Sequence, residues 1–305
     1  MVLRSIVCAA IVGLPMLAAG GPTLNSTRIG GRDYVSAREL TRHYRLGADR
    51  LVLHAHRRDM TLDGVIHWLN YPVTVASGQL WVSKLDVLKT LDPVARPQQF
   101  RGHSPVRLVV LDPGHGGGDR GTRGRTGRTE KWLTLDLAKR VENRLRAAGV
   151  RVELTRTTDR TVALSDRAAI ARRKRADLFV SLHFNAALGS ARGIETFSLT
   201  PLGAASTAGG AAGRDALAGH RHDEENLWLA HSVQKSLVRL TGAPDRGVRR
   251  ARFVVLREAP CPAILVEAGF LSNTVEERKI LTAEYRDLLA KAIAEGILNY
   301  RKAME

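Results

Sequence analysis

Apolar residues return every three or four positions over residues 130–148, where Leu133, Leu137, Val141 and Leu145 share one face. That period predicts an amphipathic helix, and Gly149 closes it. The runs at 107–111, 150–154, 178–182 and 193–199 are short and apolar, the pattern of buried strands. Alternation over 178–182 sets Leu178, Val180 and Leu182 on one face and Phe179 and Ser181 on the other. Ser165 is expected to cap a helix running to about Arg175, and 227–240 reads as another. Residues 253–256 and 263–266 read as strands, with helices near 275–281 and 285–300. Strands alternating with helices predict an α/β fold, with a central, mostly parallel or mixed sheet and helices on both faces.

Ahead of this lies a different texture. Over residues 26–93 short apolar runs are broken by glycines and polar turns, which predicts a small β-rich α+β domain. Within it "IGGRDYVSARELTRHY" and "VASGQLWVSKLDVLKTL" repeat one plan: glycine, an aromatic, Val-Ser, then a helix. An internal duplication is expected. Residues 94–105, bounded by Pro93 and Pro105, read as a linker, so the second domain is expected over 106–302. Residues 203–225 are rich in alanine and glycine and lack apolar periodicity, as in a flexible insertion.

Residues 1–20 read as a secretory signal peptide: Arg4, an apolar stretch, then Ala18, Ala19 and Gly20. An uncleaved anchor is the alternative. No other stretch is long and apolar enough to span a bilayer, so an exported protein of the periplasm or cell envelope is expected, without a stable membrane span after cleavage. Cys8 lies in this segment and leaves Cys261 alone. No disulfide and no cysteine-rich metal site is available, and any metal must rest on histidines and carboxylates. The net charge of +17 fits nucleic acid, anionic lipid or an anionic envelope. No nucleic-acid motif accompanies it, so nucleic acid is not expected as a partner.

Four groups carry candidate chemistry. An apolar strand runs into "DPGHGGGD", delivering His115 to a sheet edge on a glycine-rich turn. Glu130 opens the long helix behind Thr129, where the helix dipole alone favours a carboxylate. His183 stands where the 178–182 strand runs out. Glu267 follows the apolar run 263–266. Taken singly, Glu130, His183 and Glu267 each read as structural. Taken together they change the reading: two histidines and a carboxylate form a recognised catalytic zinc set with a fourth position for water, and a further carboxylate can relay the proton.

These motifs fall in one order along the chain: "LDPGHGG", "TEKWLTLDLAKRV", "LTRTTDRTVALSDRAAIA", "SLHFNA", "DRGVRRARFVVLREAPCPAILVEAGFLSN" and "YRDLLAKAIAEGILNY". In that order they resemble the zinc-dependent N-acetylmuramoyl-L-alanine amidases of the amidase_3 family, the AmiA, AmiB, AmiC and CwlV type, from about residue 107 to 300. The resemblance implies a peptidoglycan hydrolase (EC 3.5.1.28) that cuts between N-acetylmuramic acid and the first L-alanine of the stem peptide. It implies Zn2+ held by His115, Glu130 and His183, with Glu267 as the catalytic carboxylate; no substrate-binding residue is assigned. Arg172, where relatives commonly have Asn, and Cys261, where a larger apolar residue is usual, depart from the pattern without touching the metal set. The insertion falls where some relatives carry an autoinhibitory helix, so it reads as a lid or a plain loop, and a protein activator becomes a candidate partner. Its His220 and His222 are expected to face solvent rather than the metal. Residues 26–93 loosely resemble the N-terminal domain of copper amine oxidase-like modules found on wall enzymes, which implies no copper chemistry. The competing readings are a zinc peptidase or amidase acting on another cell-wall amide, a wall-binding protein without catalysis, and a basic DNA- or lipid-binding protein.

Overall fold

The computed structural model describes residues 24–103, 105–187, 190–207, 209, 212–213 and 215–305. The expected signal peptide, with Cys8, lies outside them. Among the described residues no helix is long and apolar enough to cross a membrane.

The N-terminal part begins with β1 (Thr27–Ile29), β2 (Arg32–Ser36) and α1 (Ala37–Tyr44), then β3 (Leu51–Leu53), β4 (Asp59–Leu62), β5 (Val65–Trp68), β6 (Thr74–Ala76) and β7 (Gln79–Ser83). A helical segment follows, made of α2 (Lys84–Asp86), a π-helical turn (Val87–Leu91) and α3 (Asp92–Ala95). The duplicated plan is visible in the pairing. β2 and β7 run antiparallel with Val35 opposite Val82, Tyr34 opposite Ser83 and Ser36 opposite Trp81. The two copies are therefore related by a local two-fold through the valine pair. Ser36 and Ser83 each cap the helix after them, accepting from the backbone N–H of Glu39 and of Asp86, which is why Val-Ser recurs at both strand ends.

The remaining elements are β8 (Leu108–Pro113), α4 (Glu130–Ala147), β9 (Arg151–Leu154), α5 (Leu164–Lys174), β10 (Leu178–Asn185), β11 (Ile194–Leu199), α6 (Asp223–Thr241), β12 (Asp245–Ala251), α7 (Val254–Arg257), β13 (Ala263–Phe270), α8 (Thr274–Ile280) and α9 (Ala283–Met304). They build a mixed sheet of order β3-β4-β5-β12-β11-β13-β10-β8-β9. β8, β9, β10 and β13 pair in parallel, while β11 runs antiparallel to β13. Helices cover both faces. The larger core holds Leu133, Leu137, Val141 and Leu145 of α4, the inner sides of α6 and α9, and Leu178, Val180 and Leu182. The smaller core, under α5 and α7, holds Phe179, Phe197 and Leu265. The alternation read along 178–182 is this division between two faces.

β3, β4 and β5 extend the same sheet, through β5 beside β12. The contact is specific: the backbone N–H of Ile66 donates to Asp245 at 2.8 Å, the Trp68 indole donates to the Arg246 carbonyl at 2.8 Å, and His67 meets His231 of α6 at 3.1 Å. Residues 94–105 carry the end of α3 and a 3-10 turn over Pro97–Phe100, with Phe100 buried in the larger core.

Several sequence expectations are corrected. Residues 253–256 are not a strand: Val254–Arg257 form α7, because a four-residue apolar run fits a buried helical turn as well as a strand. The strand there is β12, whose charged sequence "DRGVRRA" hid it. Ser165 is not a cap; α5 starts at Leu164, with Ala163 at the cap position. The helix expected at 227–240 begins at Asp223, which takes the acidic tail of the expected insertion into α6. Glu267 is not beyond its strand but inside it, since β13 continues to Phe270.

Candidate metal centre

β8 and β10 are parallel neighbours, and their ends bring His115 and His183 together. The turn after β8 is left-handed at His115 (φ 61°), Gly116 (φ 129°) and Gly117 (φ 59°). Gly114 is required for space: a Cβ there would lie 2.2 Å from Cε1 of His183. Two buried arginines clamp this turn by its carbonyls. Arg167 donates to Pro113 and His115 and forms a 2.7 Å ion pair with buried Asp112. Arg156 donates to Pro113, Gly114 and Lys131. The cost of burying these guanidinium groups is offset because each reaches several acceptors.

Glu130 enters from the first turn of α4. Its Oε1 lies 3.1 Å from His115 Nε2 and 2.9 Å from His183 Nδ1. The backbone N–H groups of Phe184 and Thr122 donate to its two oxygens at 3.1 and 2.9 Å. Thr129 holds the cap position but makes no side-chain capping bond. Burial alone would raise the Glu130 pKa; the hydrogen bonds and charges of His115 and His183 outweigh it and hold the carboxyl well below its ordinary range. Behind His115, Asp119 Oδ2 sits 2.8 Å from Nδ1 and fixes the ring, the outer-shell partner that metal-binding histidines use.

One ligand atom each from His115, Glu130 and His183 lies within 4.8 Å of the others, so the three can hold a metal ion. Tetrahedral coordination with bonds of about 2.0–2.1 Å sets ligand atoms about 3.3 Å apart, close to the 3.1 and 2.9 Å between Glu130 and the two imidazoles. The chemistry and spacing of the donors therefore fit a metal ion.

Glu267 lines the same pocket. It pairs with His183 across the parallel β10–β13 ladder and with Glu195 across the antiparallel β11–β13 ladder. Its Oε2 is buried without a hydrogen-bond partner. Desolvation, then the charges of Glu130 and Glu195, push its pKa well above the ordinary carboxylate value. Glu195 is a buried neighbour of Glu267 that sequence reasoning missed. It accepts from Asn185 at 2.8 Å, Arg246 at 3.0 Å and Arg249 at 2.9 Å. Asp119 was also missed, although its place four residues after His115 in "HGGGD" was a usable signal.

His220 and His222 do not reach the metal set. His220 accepts from the Leu217 N–H and lies 3.0 Å from the Thr200 carbonyl. His222 lies between Glu225 and the Pro260 carbonyl. Both are half-buried rather than solvent-facing. The insertion touches the pocket rim at Arg252, which donates to the Ala204 carbonyl and approaches Gly213. Leu164 and Phe253 supply exposed apolar surface on that rim.

Residues 109–299 match the family described as N-acetylmuramoyl-L-alanine amidase, Amidase_3. AmiA of Escherichia coli K12, an N-acetylmuramoyl-L-alanine amidase, is 34% identical over 244 residues, covering 72% of this chain and 84% of its own. A crystal structure of an N-acetylmuramoyl-L-alanine amidase from Clostridium difficile 630 is 37% identical with a TM-score of 0.55, over 65% of this chain and 97% of that one. The CwlD amidase of Clostridioides difficile, solved in complex with the GerS lipoprotein, is 25% identical with a TM-score of 0.54, over 64% and 98%. The family match does not extend to residues 26–93.

Proposed function

We propose, from the premise that this chain belongs to the N-acetylmuramoyl-L-alanine amidase family of the Amidase_3 type, that the His115–Glu130–His183 pocket is its active site and that zinc is its metal. The chain is a peptidoglycan hydrolase that cleaves the amide between N-acetylmuramic acid and the L-alanine of the stem peptide. The observation that carries the site is three ligand atoms gathered within 4.8 Å at two strand ends and one helix start, with Glu267 beside them in the same pocket.

Two neutral imidazole nitrogens and one carboxylate suit zinc and leave a position for water. When bound, zinc supplies a water of lowered pKa and polarises the carbonyl under attack. The protein does the rest. Asp119 keeps the His115 ring turned so that Nε2 faces Glu130. Thr122 and Phe184 hold the Glu130 carboxylate in place. Glu267 takes the proton from the attacking water and returns it to the departing amine; its place in the same pocket, with a buried oxygen free of other partners, suits both tasks. Leu164 and Phe253 give the pocket rim an exposed apolar surface.

In this reading residues 106–302 form the catalytic unit, joined through 94–105 to residues 26–93, which position it on the wall. The protein is exported and acts in the periplasm or cell envelope; the family's wall substrate supports this. The insertion over 203–225 restricts entry through its contacts with Arg252. A protein partner is supported by likeness to CwlD, which was solved in complex with the GerS lipoprotein. Digestion of purified sacculi with and without chelator tests the reading. Mass spectrometry should find free stem peptides beginning with L-alanine and unmodified muramic acid carboxyls, lost on chelation. New amines at any other bond would overturn it.

A further inference from the structure

The first turn of α4 serves two sides. Glu130 faces the metal pocket; Trp132, two residues on, lies about 200° around the helix and is 41% exposed. Beside it is a cavity of about 670 Å³ lined by Arg123, Arg128, Lys131, Trp132, Leu135 and Leu281, among others. The Arg128 guanidinium stands 4.3 Å from the Trp132 ring centroid. Asp159 is the sole acid in the lining and is already bound by Lys131 at 2.6 Å. Among the described residues neither Arg123 nor Arg128 has a carboxylate partner. The Arg286 guanidinium lies 5.2 Å from the same ring, so the cavity presents two guanidinium groups without a carboxylate beside an aromatic ring that Arg128 and Arg286 flank.

Its wall is built rather than loose. The backbone N–H of Gly124 donates to the Arg128 carbonyl at 3.0 Å and that of Glu130 to the Thr122 carbonyl at 2.8 Å. Buried Glu277 of α8 accepts from both the N–H and the hydroxyl of Thr126, at 2.9 and 2.7 Å. Gly121 and Thr122 of this wall line the metal pocket, while Arg123 and Thr126 to Thr129 line the outer cavity. One segment separates the two.

We propose that this cavity is a second subsite, which binds a free carboxylate on the distal part of the stem peptide while the scissile amide sits at the metal. The inference rests on the amidase reading. Distance selects the part of the substrate. A helix with its side chains is about 10–12 Å across, and an extended peptide gains about 3.3–3.6 Å per residue. Spanning that width takes about three residues or more, so a stem of three or four residues is long enough to bridge the two sites and a dipeptide is not. Stacked on Trp132, Arg128 offers a two-point hydrogen-bonding edge to the carboxylate, and the exposed part of the Trp132 ring lies beside the carbon chain that carries it.

Two measurements test this. In the first, tryptophan fluorescence of the full chain is titrated with a synthetic stem tetrapeptide, its fully amidated form, the corresponding dipeptide and inorganic phosphate. The acid tetrapeptide should change the signal, and Trp132→Phe should abolish the change. The amidated form and the dipeptide should bind at least roughly tenfold more weakly, the size of one charge-assisted hydrogen bond. In the second, Arg128→Gln, an exposed substitution, should raise KM for muramyl tetrapeptide roughly tenfold with kcat unchanged, and leave muramyl dipeptide cleavage as it was. Equal effects on both substrates, no effect on either, or equal binding of acid and amide forms would overturn the subsite. Phosphate binding as tight as the tetrapeptide would reassign it to a phosphate-bearing polymer. If neither substrate is cleaved by the unaltered enzyme, the amidase reading fails, and the fluorescence titration still decides the peptide site.

Discussion

Glu195 and Glu267 stand directly opposite one another on β11 and β13, and they are treated in opposite ways. Glu195 is neutralised by Arg246 and Arg249. Glu267 has a buried oxygen with no partner at all. An unpaired buried carboxylate is costly unless it carries a proton or does work. Glu267→Gln removes the proton shuttle and keeps the shape, so zinc content and melting temperature should stay normal while turnover on muropeptides falls about 10²–10⁴-fold. Near-normal turnover would show that another group moves the proton; loss of zinc would make Glu267 a ligand.

The metal set and its outer partner should separate by degree. His115→Ala, Glu130→Gln and His183→Ala each remove one of three protein ligands, and metal analysis should find little zinc in any of them. Asp119→Asn keeps a hydrogen-bonding side chain but loses the charge behind His115. It should weaken zinc affinity about 10–100-fold in a competitive chelator titration. Unchanged affinity would mean that Asp119 does not orient the ligand.

Gly114→Ala tests the packing on which the centre depends. The new methyl would stand 2.2 Å from the His183 ring, far inside contact distance, and Arg156 and Arg167 hold the backbone around it against a shift. The ring must give way. The expected outcome is a folded protein with strongly reduced zinc, read by circular dichroism and metal analysis together. Full zinc occupancy would show that the turn yields instead.

What was legible in the sequence was local. Period and alternation fixed α4 and the two faces of β10, and the strand ends pointed at His115 and His183. What stayed hidden depended on distant partners. Glu195 reads as a stray carboxylate in an apolar run because its arginines lie 51 and 54 residues away. β12 reads as a loop because those same arginines, spent on Glu195, make it look solvated. The junction of β5 with β12 was invisible for the same reason, since His67 and His231 are 164 positions apart.

That histidine pair should make the protein acid-sensitive. His67 and His231 are buried and stacked. Desolvation first, then for His67 the neighbouring His231 and Arg250, hold both below the ordinary histidine value, with His231 lowered to about 3. Above about pH 6.5 neither folded nor unfolded chain binds these protons, and the pair's stability is complete. Below it the unfolded chain takes them up and the folded chain does not, so stability falls with pH, through to about 3 for His231. Each histidine contributes a slope of at most about 1.4 kcal/mol per pH unit. Melting temperatures from pH 8 to 4 should show the loss, and a His67→Phe, His231→Phe double variant should flatten it. An equally steep slope in that variant would place the sensitivity elsewhere.

The same junction governs what truncation does. No group of the metal pocket precedes residue 107, so chemistry alone allows a chain beginning at Pro97. Packing does not. Met60, Leu62, Val65 and Leu69 belong to the larger core shared with α6 and α9. β5 also covers the edge of β12, where Ile66 and Trp68 bond to Asp245 and to the Arg246 carbonyl. Removing residues 26–93 would expose that strand edge and an apolar face beside it, the features that drive aggregation. The truncated chain should therefore melt well below the full chain or associate, by calorimetry and light scattering, while any monomeric fraction still binds zinc through its three ligands. A soluble monomer with an unchanged melting temperature would mean that the β5–β12 contact contributes little, and that residues 26–93 serve the wall alone.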